Sequence, residues 1–344
     1  MKYVRLKDIA ARTGVSVNTV SRALKGKGDI SPETAQRIRN VADELGYVPH
    51  AAAASLRSKN IKTIGVIVTY LDNPFYARIL KGINDALTEY HYTPIILENN
   101  ENIAKERDIL ALLASYRVAG MLIVPASNLE HNVNDRTVKT QHLAIVRKGS
   151  VAEQGYFVLN SFKSGQLAAE HLLQTGRRKP AFLGLELPIS CNRDRLAGYQ
   201  ARFAAEGIAL NEVNIRSCFP SSQAAYLRIR EWLKKKPDFD ALFVGTDLLA
   251  FGVLRALHDV GANVPDDVAV IGHDDVENAQ YFTPSLSTIR VPKYQLGFES
   301  AECLIKMIQH DQTAVKNQVI YEPELIVRES SASKEVVARG ANHS

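Results

Sequence analysis

Val17, Asn18, Ser21 and Arg22 fall within six consecutive residues. Wound at about 100° per residue they share one helical arc of about 140°, while Thr19, Val20, Ala23 and Leu24 fill the opposite arc. The free arc carries side chains suited to base edges. Arg22 can fork onto guanine O6 and N7, Asn18 onto adenine, and Val17 can meet a thymine methyl. Ser16, Thr19 and Ser21 add hydroxyls that can bond phosphate, which fixes position without reading sequence. A second group lies far downstream, each member just past an apolar run. Asn73, Phe75 and Tyr76 follow "TIGVIV", Thr246 and Asp247 follow "ALFVG", and Asp274 and Asp275 follow "VAVIG". Aromatic faces beside charged groups suit a polyhydroxylated small molecule, whose ring stacks while its hydroxyls are bonded from the side.

The first group needs a small helical frame to present it. Leu6, Ile9 and Ala10 recur at helical spacing up to "TGVS", where Gly14 permits a sharp turn and Ser16 can cap a second helix. Val15, Val20, Ala23 and Leu24 supply the buried side of that helix. A third helix opens at "SPET", with Ser31 as cap and Pro32 at the first position, and buries Ala35, Ile38, Val41, Ala42 and Leu45 before Gly46 ends it. Three short helices with a tight first turn make the helix-turn-helix pattern. Next comes "VPHAAAASLRSKN", whose alanines favour a helix too short to be stable alone in water.

The second group needs a different frame. From residue 61 the apolar runs "TIGVIV", "TPIIL", "GMLIV", "LAIV", "AFLGL", "ALFVG" and "VAVIG" read as buried parallel strands. Helical patterns over Phe75 to Tyr90, Ala104 to Tyr116, Ser164 to Thr175 and Leu248 to Val260 separate most of them. That alternation predicts a doubly wound α/β body, and the strands exceed one mononucleotide-binding half, which points to two lobes. Ligands of such sheets collect beyond the carboxyl ends of the strands, where the second group sits.

Charge divides the chain in the same way. Through residue 60, eleven Lys and Arg face five Asp and Glu, a balance of +6 out of a formal net charge of +5, so the remainder carries −1. A basic module on a near-neutral body predicts a polyanion partner for the module alone. No run approaches a membrane span and the N-terminus lacks an apolar signal core, so the expected location is cytoplasmic. Cys191, Cys218 and Cys303 form no metal or disulfide spacing, and no metal or other cofactor is expected. There is no GxGxxG after a strand, no P-loop, no HExxH and no GxSxG, so an enzyme is not expected. His273 beside Asp274 and Asp275 reads as a hydrogen-bonding group rather than an acid-base pair.

The segment "LKDIAARTGVSVNTVSRALKGKGDISPETAQRIRNVADELGYVPHAAAASLRS" resembles the DNA-binding headpiece of the lac repressor family of bacterial regulators. The body resembles that family's periplasmic-binding-protein-like regulatory domain, through "NPFYARILKGI", "DRLAGY", "GTDLLAFGVLRAL", "VIGHDD", "PSLSTIRVP" and "PELIVRES". The resemblance implies a headpiece at residues 1–47, a hinge helix at 48–60, and a two-lobed effector and dimerisation domain at 61–330. Three crossovers are expected near residues 160, 290 and 320, and a flexible tail at 331–344. By the same resemblance Val17, Asn18 and Arg22 choose the operator, and the hinge helix, including His50, Ala53 and Arg57, lies against DNA while Leu56 enters the minor groove. The family commonly has Asn at the place of His50 and Arg or Gln at that of Ala54.

Arg195, in "DRLAGY", matches an arginine that holds effector oxygens in the family. Arg147-Lys148 stands where the family often has Asp-Arg, and Asn160-Ser161 where Asp-Asn is frequent. The expected effector is a sugar, sugar acid or sugar phosphate, and losing acids while gaining a base there favours the anionic ones. The chain is therefore expected to act as a homodimer on pseudo-palindromic double-stranded DNA, a repressor under control of a small molecule. The tail "SASKEVVARGANHS" shows no leucine heptads, so no tetramerising helix is expected.

Overall fold

The computed structural model describes residues 4–26, 29–47, 61–126, 140–148, 155–187, 189–310 and 316–332. They fall into two compact units, divided along the chain between Ile61 and Lys62.

The first unit holds α1 (Leu6–Thr13), α2 (Val17–Leu24) and α3 (Pro32–Glu44). Its core is Ile9, Ala10, Val20, Ala23, Ala35, Ile38 and Ala42, the residues whose helical spacing faces inward. Gly14, at φ 71°, ends α1 in the left-handed conformation and returns its N–H to the Ala10 carbonyl. Ser16 then caps α2, its Oγ accepting from the Thr19 amide at 3.1 Å. Arg37 donates to the Thr13 carbonyl at 3.2 Å and ties α3 to the end of α1.

The second unit contains two sheets of one design. The first is built of β1 (Thr63–Val68), β2 (Thr93–Glu98), β3 (Gly120–Ile123), β4 (Gln141–Val146), β5 (Tyr156–Leu159) and β11 (Gln318–Tyr321). The second is built of β6 (Pro180–Leu185), β7 (Ile215–Cys218), β8 (Ala241–Val244), β9 (Ala269–Asp274), β10 (Ser287–Arg290) and β12 (Glu324–Ile326). Their orders, β2-β1-β3-β4-β5-β11 and β7-β6-β8-β9-β10-β12, repeat one another. Neighbours run parallel except β10 and β12. Such sheets place a ligand crevice where the strand order reverses, beside β1 and β3 in one lobe and β6 and β8 in the other.

Helices α4 (Pro74–Glu89), α5 (Ile103–Ser115) and α10 (Lys293–Ile308) belong with the first sheet, and α6 (Ser161–Gln174), α7 (Ser190–Ala204), α8 (Ser222–Leu233) and α9 (Asp247–Asp259) with the second. The chain changes lobe between β5 and α6, between β10 and α10, and between β11 and β12. Helices α6 and α7 touch through glycine. A Cβ on Gly165 would lie 2.0 Å from the Arg195 carbonyl oxygen, and one on Gly198 1.9 Å from that of Phe162. Backbone contact this close fixes where Arg195 stands. Ser331 and Ala332, placed by sequence reading in a flexible tail, are instead buried, because Ser331 Oγ bonds His171 Nε2 at 2.8 Å and Ser287 Oγ at 2.7 Å.

Candidate nucleic-acid interface and ligand cleft

In the first unit α2 presents its polar arc outward. Ser16, Val17 and Asn18 are exposed, Val17 at 45% despite its apolar side chain, while Val20 and Ala23 are buried. Val17 takes no part in the unit's own core. Ser16 and Thr19 are not free hydroxyls, since their oxygens share a hydrogen bond at 2.8 Å that closes the cap. Ser21 and Arg22 are half-buried, and the Arg22 guanidinium is paired with the Asp29 carboxylate. His50, Ala53, Leu56 and Arg57, with the whole segment 48–60, lie outside the described residues.

In the second unit the carboxyl ends of the strands gather a buried polar group. Val146 sits at φ 71°, unusual for a β-branched residue, and the Arg147 amide bonds back to the Ile145 carbonyl at 2.8 Å across a γ-turn. That turn carries Arg147 inward to 6% exposure, against Glu101, whose side chain is 6% exposed. Glu101 itself has φ 55°, so two strained turns are held to make this one pair. Burial opposes the guanidinium charge, but Glu101, with Tyr76 and Cys191 beside it, holds Arg147 above its ordinary pKa. Glu101 uses Nη2 of Arg147; among the described residues Nε and Nη1 are buried with no partner.

Tyr76 accepts from Thr69 Oγ1 at 2.6 Å and packs edge-on to Phe75, centroids 5.1 Å apart. Phe75 is 7% exposed within the first lobe's core, so it packs rather than offering a stacking face. Tyr70, half-buried, and Phe219, exposed, form an aromatic pair with one ring from each lobe, centroids 6.4 Å apart and planes at 71°.

In the second lobe, Arg195 is 7% exposed, donates through Nη1 to the Gly245 carbonyl, and keeps Nε buried without a partner among the described residues. His273 Nδ1 meets Asp274 Oδ1 at 2.9 Å, and His273 Nε2 is likewise buried and unpartnered. Burial, then the charges of Arg195 and Lys293, hold His273 well below its ordinary pKa, so it is neutral. Asp274 is pushed up to about 7 by burial, against the pull of Arg195 and Lys293. Asp274 and Asp275 have φ 121° and 49°, and Lys293 Nζ braces this strained end of β9 by donating to both carbonyls.

The strain sends the two carboxylates to different partners. Asp275 is taken by Arg290 and Arg328, each at 2.7 Å, and so is withdrawn from ligand contact. Asp247, fully buried, accepts from Thr288 Oγ1 at 2.6 Å and the Val276 amide at 2.9 Å, which makes it a structural bridge. Asn73, Asn160 and Thr246 are the caps of α4, α6 and α9, accepting from Phe75, Lys163 and Leu249 amides. Lys148 turns away, its Nζ 4.2 Å over the Tyr156 ring.

Sequence reading passed over Tyr70, Glu101, Cys191, Phe219 and Lys293. Cys191, in the first turn of α7, is a free buried thiol on the helix that carries Arg195. Tyr70 and Glu101 each lie two or three residues past a recognisable strand, the signal already used for Asn73. Phe219 follows β7, whose "IRSC" carries no apolar run. Among the described residues no group of His, Cys, Asp and Glu could hold a metal, and no helix is long and apolar enough to cross a membrane.

Residues 5–50 match the family model of bacterial regulatory proteins of the lacI family, and residues 169–331 match a periplasmic binding protein-like domain. The chain is 30% identical over 328 residues to the HTH-type transcriptional repressor PurR of Photobacterium profundum, covering 94% of this chain and 98% of that one. Its fold is similar to the lac repressor dimer bound to operator and the anti-inducer ONPF, with a TM-score of 0.85 at 24% identity over 96% of this chain and 100% of that one. The transcriptional regulator CelR in complex with cellobiose is also similar, with a TM-score of 0.72 at 27% identity over 95% of this chain and 100% of that one.

Proposed function

Because the chain belongs to the lacI family of bacterial regulatory proteins, DNA-binding transcriptional repressors with an effector-binding domain, we propose that its effector is a small oxygen-rich anion, a sugar acid or sugar phosphate. The observation that carries this reading is the pair of guanidinium groups, on Arg147 and Arg195, both more than nine-tenths buried and both with unused N–H groups. A buried donor without an acceptor is costly, and an anion supplies charge-assisted acceptors for two such groups at once. Asp274 raised toward neutrality leaves more of the positive charge of Arg195 for a ligand. His273 Nε2 and the Tyr70 and Phe219 rings would then take hydroxyls and the carbon face of the ligand. Asp247, Asp275 and Phe75 act behind this set as its supports.

On DNA, α2 reads the major groove through Val17, Asn18 and Arg22, a dimer spans two half-sites, and Leu56 works in the minor groove. The CelR complex with cellobiose makes a neutral disaccharide the competing ligand. Thermal unfolding and calorimetry of the full chain with gluconate, glucose 6-phosphate, ribose and cellobiose separate the two. An anion at about 100 times its Kd should stabilise by about 2.7 kcal/mol, while the neutral sugars do little. Tight binding of cellobiose or ribose with no response to either anion overturns the proposal.

A further inference from the structure

Arg22 is the only charged residue of α2, and its Nη2 is paired with Asp29, from the segment leading into α3. We infer that Asp29 is a positioning residue for base recognition, holding the Arg22 guanidinium in one orientation and muting its attraction to phosphate. Three features of the first unit carry this. Arg22 Nε is buried and unpartnered, so the end of the guanidinium, Nη1 and Nη2, is the edge left for DNA. Each Nη bears two protons, so Nη2 keeps one after bonding Asp29 and Nη1 keeps both, enough for the two acceptors O6 and N7 of guanine. Both side chains are close to half exposed, 44% and 45%, so the pair stands at the surface rather than inside the core.

An unpaired arginine on this face would be drawn to any phosphate, and that attraction is the same for every sequence. A fixed carboxylate beside it cancels most of that attraction while leaving the donor pattern intact. The gain is therefore in discrimination between bases, at some cost in overall affinity. Holding the side chain still also removes rotamer freedom before DNA arrives, which favours the one partner whose geometry matches.

The test uses the full chain. A preferred duplex is first selected from randomised DNA, and Arg22→Ala identifies the base pair that Arg22 reads as the position where discrimination disappears. Binding is then measured to the preferred duplex, to one changed at that pair, and to unrelated DNA, over a range of salt. Asp29→Asn and Asp29→Ser should each lower discrimination at that pair by about tenfold, within the range of one bidentate contact. Affinity for unrelated DNA should hold or rise. Asp29→Glu should restore most of the discrimination, and Asp29→Asn should add nothing in an Arg22→Ala background. Unchanged discrimination would overturn the inference. So would a parallel rise on all three duplexes, which would make Asp29 a simple repellent of DNA, or a parallel fall together with a lower headpiece melting temperature, which would make it a structural residue.

Discussion

Glu101→Gln removes one charge from the cleft while keeping size and one acceptor oxygen, and so isolates what the buried pair with Arg147 does. Both side chains are almost wholly excluded from solvent, 6% and 5% exposed, so the guanidinium left behind cannot be rescued by water. Breaking one side of a buried pair costs about 3–5 kcal/mol; Gln can still accept one hydrogen bond from Arg147, so the lower end, about 3 kcal/mol, is expected. For a body of this size that is a fall in melting temperature of about 6 °C. The assay is thermal unfolding of the full chain with and without an anionic sugar derivative. In the variant the ligand takes over the charge that Glu101 supplied, next to the more remote carboxylate of Glu106, so the stabilisation it produces should grow by an amount close to what the substitution removed. A neutral sugar should stabilise variant and parent equally. An unchanged melting temperature would show that Arg147 does not depend on Glu101. Weaker anion binding in the variant would refute the view that Arg147 is held for a ligand.

Gly165→Ala would force α6 and α7 apart, because the new Cβ lies 2.0 Å from the Arg195 carbonyl oxygen and 2.5 Å from the Tyr199 amide nitrogen. A loss of about 1–3 kcal/mol in stability is expected; ligand affinity should fall with it, and an unchanged affinity would detach Arg195 from this helix contact. Asp247 and Asp274 are both pushed up to about 7, by burial first and, at Asp247, by the charge of Asp274 next. The folded state therefore holds protons that the unfolded chain releases near pH 4, and this share of stability is lost as pH rises from about 4 to about 7. Asp247→Asn removes that share, so the cost of the substitution, read as the difference in melting temperature from the parent, should shrink from pH 5 to pH 7. A cost that is flat or grows with pH contradicts the assignment. Leu56→Ala should weaken binding to the preferred duplex much more than to unrelated DNA, as loss of a minor-groove wedge would; equal losses in a salt-matched titration would reduce Leu56 to packing.

Much of this architecture is legible in the residues, and where it is not the reason is physical. The helix-turn-helix core could be named residue by residue because three amphipathic helices bury one stripe each, and Ile9, Val20 and Ile38 stand at its centre with no exposure. Most central strands are equally plain, because strands covered on both faces become unbroken apolar runs, but interior β5 ("YFVL") and β10 ("STIR") are too short or too polar to stand out. Strands β7, β11 and β12 carry no such run, since they lie at or beside sheet edges and need bury only part of their length: β7 reads "IRSC", and β11 alternates exposed and half-buried residues. Helix ends were displaced by only one to three residues, where caps set the true starts.

The candidate cleft is harder to read, because polar residues at the carboxyl ends of strands are as useful to the next helix as to a ligand. Asn73, Asn160 and Thr246 each satisfy an orphan amide of the helix that follows, and residue type alone does not separate that duty from binding. What separates them is whether donors remain unused once the fold has taken its share. Arg147 and Arg195 retain such donors, Asp247 and Asp275 have given their oxygens to internal partners, and no spacing rule encodes the difference. The left-handed Val146 that delivers Arg147 shows why: a valine in an apolar run reads as strand, and only the turn back to Ile145 reveals that the chain accepts strain to bury a charge there. A buried charge kept by strain with hydrogen-bond donors unused by the fold is costly, so an acceptor that reaches those donors would stabilise the folded chain through the bonds it supplies.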